Sequence, residues 1–121
     1  MTLAMESAAR GEPFHIVHGG EAPLNHAGDV ARLFVRCARL VSDGAPVYDT
    51  GGAVHHVREV VAAIESAAPG ARVTFEDEPF APMPGSFDGS ALARALDGVD
   101  WRPLYEGVRQ TVERFRELGR G

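Results

Sequence analysis

Five histidines are the side chains of this sequence best suited to moving protons near neutral pH: His15, His18, His26, His55 and His56. Their spacing argues against a metal. His15 and His18 fall in the apolar run Phe14-His-Ile-Val-His18, and on a strand positions three apart point to opposite faces, which makes a poor chelate. His55 and His56 are adjacent and diverge in the same way. Acid–base chemistry fits better. Two glycine pairs, Gly19-Gly20 and Gly51-Gly52, each close an apolar segment. If those segments are parallel neighbours, His18, His26, Asp49 and His55 converge at the strand ends, where open α/β sheets bind ligands. An imidazole beside a carboxylate can transfer a proton without a cofactor, so His18, His26 and Asp49 are the catalytic candidates.

The elements that would hold these residues follow from apolar spacing. Residues 1–12 are expected to be a loose or weakly helical lead-in. Phe14–His18 is expected as a strand, and Glu21–Gly28 as a loop containing Pro23. Val30, Leu33, Phe34, Cys37, Leu40 and Val41 recur at helical spacing and predict a helix over 29–41. Asp29 is placed to cap it, and Gly44 to stop it. Val47-Tyr48 is expected as a short buried strand, with Asp49 forming the turn into Thr50-Gly51. Val54, Val57, Val61 and Ile64 predict a helix over 54–67, and Arg72–Glu76 alternates as a third strand. Residues 77–88 are rich in proline and expected to be an extended loop, with Met83 as a loop contact. A short helix bearing Leu92 and Leu96 follows. A last helix begins near Pro103, with Leu104, Val108, Val112, Phe115 and Leu118 on one face and an Arg109–Glu113 pair on the other. Trp101 is expected to anchor a core or an interface. The fold class is α/β: a small layered domain of about three short strands and four helices in a single unit over 1–121.

Totals exclude several function classes. The chain has 121 residues and a formal charge of −5, and all twelve basic residues are arginine. That acidic balance opposes non-specific nucleic-acid binding. No apolar run approaches the roughly 20 residues of a membrane helix. The N-terminus is short and acidic for a signal peptide. Cys37 is the sole cysteine, lies on the apolar stripe, and allows no internal disulfide, so a cytoplasmic location is expected.

An ordered series of segments resembles the C-terminal part of the NAD-dependent epimerase/dehydratase family, within the extended short-chain dehydrogenases. The segments are His26-Ala-Gly-Asp29-Val-Ala31, Val47-Tyr-Asp-Thr-Gly-Gly52, Val57-Arg-Glu-Val-Val-Ala-Ala-Ile64, Asp88-Gly-Ser-Ala-Leu92, Trp101-Arg-Pro103 and Glu106-Gly-Val-Arg-Gln-Thr-Val112. The resemblance covers nearly the whole chain but only about the last third of a full-length member. It implies a substrate-side domain in which the strand before the first glycine pair lines the ligand. His15, Val17, His18 and Gly19 are then substrate-binding candidates, with His55.

Two features of the family are missing from these residues. There is no G-x-G-x-x-G series to approach a dinucleotide pyrophosphate, and the chain has no lysine to complete the family's Tyr-x-x-x-Lys pair with Tyr48 or Tyr105. No cofactor is therefore expected, and no redox chemistry by this polypeptide alone. Positions near Ala22-Pro23 and Met83 lack the arginines that hold a diphosphate in nucleotide-sugar members. A cofactor-independent isomerase, cyclase or lyase is one expectation. The alternatives are a non-enzymatic half of a split enzyme and an inactive truncated remnant. The edges of the Val47-Tyr48 strand would need cover, from a second copy in a homodimer or from a Rossmann-type partner chain.

Overall fold

The computed structural model describes residues 1–41, 44–79 and 87–119. The chain divides into two compact units. One comprises Met1–Ala22, His55–Met83 and Pro103–Gly121, and the other Pro23–Val54 and Pro84–Arg102.

In the first unit, helices carry the core. Val57, Val60 and Ile64 recur at helical spacing along α3 (Val57–Ala67), and each is at most 1% exposed. α3 packs against α5 (Leu104–Leu118), which contributes Val108 and Val112. α1 (Thr2–Arg10) lies on α5 through Ala4 and Ala8, one turn apart and small enough for close approach. Gly11 ends α1 in the left-handed conformation. The expected lead-in is therefore an ordered helix. Its two alanines are a weak sequence signal, and only the surface of α5 makes them core.

The strand β1 (Phe14–Ile16) pairs in parallel with β4 (Val73–Phe75), Phe14 opposite Val73 and Ile16 opposite Phe75. Gly19 follows β1 and donates its N–H to the Glu78 carbonyl at 2.7 Å. A Cβ at Gly19 would stand 2.3 Å from the Glu76 carbonyl oxygen, so the backbones approach too closely for any side chain.

A second pairing joins β2 (Glu21–Pro23) to β3 (Val54–His56). Neither strand was expected: 21–28 reads as a loop and 54–56 as the first turn of a helix. Pairing in space decides both, since each three-residue segment gains ladder bonds only from the other.

The second unit is built on α2 (Ala27–Cys37) and α4 (Ser90–Ala95). Leu33, Leu92 and Leu96 form its core, and Cys37, Leu40, Tyr48, Val99 and Trp101 pack around them. Arg36 ties the elements together by donating to the carbonyls of Leu96 and Gly98. The expected strand at Val47-Tyr48 is absent. Tyr48 turns toward the core, while Val47 is 95% exposed with no ladder partner. A run of two residues has no strand character without a neighbour to bond. The expectation for Met83, and most of the proline-rich loop, lies outside the described residues.

The α/β class holds, with five helices and four three-residue strands among the described residues. α2 starts two residues before Asp29 and ends at Cys37, short of the expected Val41.

Candidate functional site

The densest polar cluster sits at the N-terminus of α2. His26, not Asp29, is the N-cap: its backbone is extended and its Nδ1 accepts the Gly28 N–H at 3.1 Å. Asp29 lies within the first turn and is 2% exposed, the only buried charged residue among those described. Its Oδ2 accepts the Arg102 backbone N–H at 2.8 Å, and its Oδ1 accepts from Arg32 Nη2 at 2.5 Å. Arg102 Nη2 stands 3.2 Å from the same Oδ1. Burial on its own would raise the pKa of this carboxyl. The Arg102 backbone N–H and the charges of Arg102 and Arg32 outweigh it and hold the group below 3.8. Arg102 also reaches the imidazole, with Nη1 2.8 Å from His26 Nδ1 and 3.2 Å from Nε2.

Next to this cap, the turn 49–52 is drawn against Asn25. Asp49 Oδ1 accepts the Gly51 N–H at 2.9 Å, the turn-forming role its position suggests. Asn25 Nδ2 donates to Thr50 Oγ1 at 3.3 Å and to the Gly51 carbonyl at 3.1 Å. Gly52 has φ of 122°, and a Cβ there would fall 2.0 Å from Asn25 Oδ1. That Oδ1 is buried and accepts no hydrogen bond among the described residues.

In the other unit, His15 sits between Thr74 Oγ1 at 2.8 Å and Glu76 Oε1 at 2.9 Å, exposed on the β1–β4 pair. Parallel register explains the contact, because His15 lies opposite Thr74. Val17 is 75% exposed, His18 half-buried and Gly19 buried. His55 Nδ1 lies 3.3 Å from Glu59 Oε2. His56 caps α3, its Nδ1 accepting the Arg58 N–H at 3.1 Å while Glu59 returns a bond to its backbone N–H.

Of the residues singled out from sequence, His15, Val17, His18, Gly19 and His55 belong to one unit, and His26 and Asp49 to the other. The parallel neighbours expected to bring them together are not formed, because β1 pairs with β4 and 47–48 is no strand. Sequence spacing missed the Asp29–Arg102 contact altogether, since its partners are 73 residues apart. Among the described residues, no three His, Cys, Asp or Glu side chains are grouped to hold a metal ion, and no helix is long and apolar enough to cross a membrane.

The architecture defines an α/β fold shared with part of a group of larger enzymes. No protein-family model and no curated protein matches the chain. Solved structures do. A partial consensus L-threonine 3-dehydrogenase is 21% identical with a TM-score of 0.74, over 94% of this chain and 40% of that one. The holo form of a GalE-like L-threonine dehydrogenase from Cupriavidus necator is 20% identical with a TM-score of 0.76, over 92% and 39%. A UDP-glucose 4-epimerase from Thermotoga maritima, solved with UDP-glucose, is 18% identical with a TM-score of 0.75, over 96% and 38%. The chain thus spans about two fifths of the length of these enzymes. At these identities the likeness establishes the fold alone: that of about two fifths of these L-threonine dehydrogenase and UDP-glucose 4-epimerase structures.

Proposed function

We propose that this chain is a small-molecule-binding domain equivalent to the substrate half of an epimerase/dehydratase-like enzyme, without redox chemistry of its own. The observation that carries this reading is the fold match, which takes in 92–96% of this chain and only 38–43% of the enzymes. The 121 residues have neither the glycine series nor a lysine to complete a Tyr-x-x-x-Lys pair, which supports the second half of the reading. Within it, His15, Val17, His18, Gly19 and His55 are the ligand-contact candidates. A cofactor-independent isomerisation, cyclisation or elimination would draw on His18 with Asp49 or His26.

A second reading is the non-enzymatic half of a split enzyme that works with a Rossmann-type chain. Exposed apolar residues favour it. Phe34, Val41 and Val47 are 70%, 102% and 95% exposed in a unit whose core, among the described residues, is three leucines and their neighbours.

Native mass spectrometry with and without NAD⁺ and NADH separates the two. A homodimer that ignores both cofactors supports the first reading. A monomer that stays apolar and sticky until a dinucleotide-binding chain is added supports the second. Stoichiometric NAD binding by this chain alone overturns both.

A further inference from the structure

We propose that Thr74, His15 and Glu76 form a hydroxyl–imidazole–carboxylate relay through which Thr74 takes an acyl group from an activated ester and passes it to water. The relay is independent of the substrate-half reading, which asks of His15 only a ligand contact. Strand geometry builds it. Glu76 continues the ladder of β4 by donating its N–H to the Ile16 carbonyl at 3.0 Å. Thr74 and Glu76 are two residues apart and so point to one side. The parallel register sets His15 of β1 opposite Thr74. Val73, Phe75 and Ile16 alternate to the other side, where Ile16 is 3% exposed. The Thr74 side is open to solvent: the His15 and Glu76 side chains are 48% and 57% exposed, and Thr74 is exposed between them, so a substrate can reach the hydroxyl.

The hydrogen bonds give each group its role. An ionised carboxylate only accepts, so the 2.9 Å contact between Glu76 Oε1 and His15 Nε2 places a ring proton on Nε2. In the neutral ring Nδ1 then carries the lone pair. Its partner at 2.8 Å is Thr74 Oγ1, which donates its proton there. A hydroxyl is a weak nucleophile until an adjacent base takes its proton, and the base works best when a third group fixes its tautomer. Thr74, His15 and Glu76 supply nucleophile, base and orienter in that order.

The step balances without a cofactor. Thr74 Oγ1 bonds to the ester carbonyl carbon as its proton passes to His15 Nδ1, and Glu76 holds the imidazolium that results. The bond from that carbon to the leaving oxygen then breaks, and the leaving group departs with the electron pair and the proton from Nδ1. Water attacks the acyl-Thr74 carbon in the same way, giving the carboxylic acid and restoring the hydroxyl. Base assistance of this kind contributes about 10²–10⁴-fold, which suits an ester whose leaving group is weakly basic.

The probe is p-nitrophenyl acetate. The full chain is incubated with it, quenched in acid at intervals and digested, and the acetyl groups are located by tandem mass spectrometry. Location is needed because other imidazoles and the N-terminal amine also react with such esters. Acetyl is expected on Thr74, forming about tenfold or more slower in His15→Gln. Glu76 acts through the ring and is a positioning residue. Glu76→Ala should slow the same step and, in ring-nitrogen NMR, let the His15 proton divide between Nε2 and Nδ1. No acetyl on Thr74 in the natural chain overturns the proposal, as does a fall of less than tenfold in His15→Gln. Should His15→Gln fail to fold, Glu76→Ala decides in its place, and an unchanged rate at Thr74 overturns the relay.

Discussion

At the scale of single residues, Asp29 does the most. A carboxylate that is 2% exposed persists only because three donors hold it, and two of them come from Arg102. Asp29→Ala should cost about 2–4 kcal/mol in urea unfolding at pH 7, because it removes the acceptor of the Arg102 N–H and the carboxylate that pairs with its guanidinium. The exposed Arg32 supplies little of that. The pH dependence has a definite sign. The folded carboxyl ionises below its ordinary 3.8, so its contribution is present above that value and is lost as pH falls through the lower folded one. The natural and Asp29→Ala curves should therefore converge in acid. Gly52 offers a second test. An alanine there meets Asn25 Oδ1 at 2.0 Å and must adopt φ of 122°. Gly52→Ala should lose about 2–4 kcal/mol, and Asn25→Ala in the same chain should recover the steric part but not the backbone part.

At the scale of elements, the apolar period found helices well and their ends poorly. α5 is nearly as expected, including the Arg109–Glu113 pair at 2.8 Å. α3 keeps its stripe, but its first turn is surrendered to β3 because β2 supplies ladder partners. Ile64 is fully buried in α3, and Ile64→Ala should cost about 2–5 kcal/mol by opening a cavity. A smaller loss in thermal or urea unfolding would mean that α1 and α5 collapse onto the gap. Gly19→Ala should break the run from β1 toward Pro79, since its Cβ would meet carbonyl oxygens that belong to backbone and cannot swing away. Loss of amide protection at Ile16 and Phe75 in hydrogen exchange would show it, while unchanged protection would place the strain elsewhere.

At the scale of the molecule, the question is what the exposed apolar residues meet. Leu33, Leu40 and Tyr48 turn to one core, and their chain neighbours Phe34, Val41 and Val47 turn outward. If another chain covers them, Phe34→Asp with Val47→Asp should shift the mass distribution toward monomer without lowering the melting temperature of the monomer. NAD⁺ is expected to leave the melting temperature unchanged, since tight binding to the folded state would raise it by mass action.

Composition, the apolar period and the glycine and proline marks were enough to establish the α/β class, the main helices, the β1 and β4 strands and the lack of a dinucleotide turn or a lysine partner. These depend on neighbours within a few residues, where spacing is itself geometry. Tertiary structure alone decided that residues 2–10 are a packed helix, that 47–48 is no strand, that β1 takes β4 as its partner, and that His26 rather than Asp29 caps α2. Asp29 read as a cap because a carboxylate before an apolar stripe usually is one. It became a buried bridge because Arg102, 73 residues later, returns to it, and no local pattern encodes a contact made across that distance.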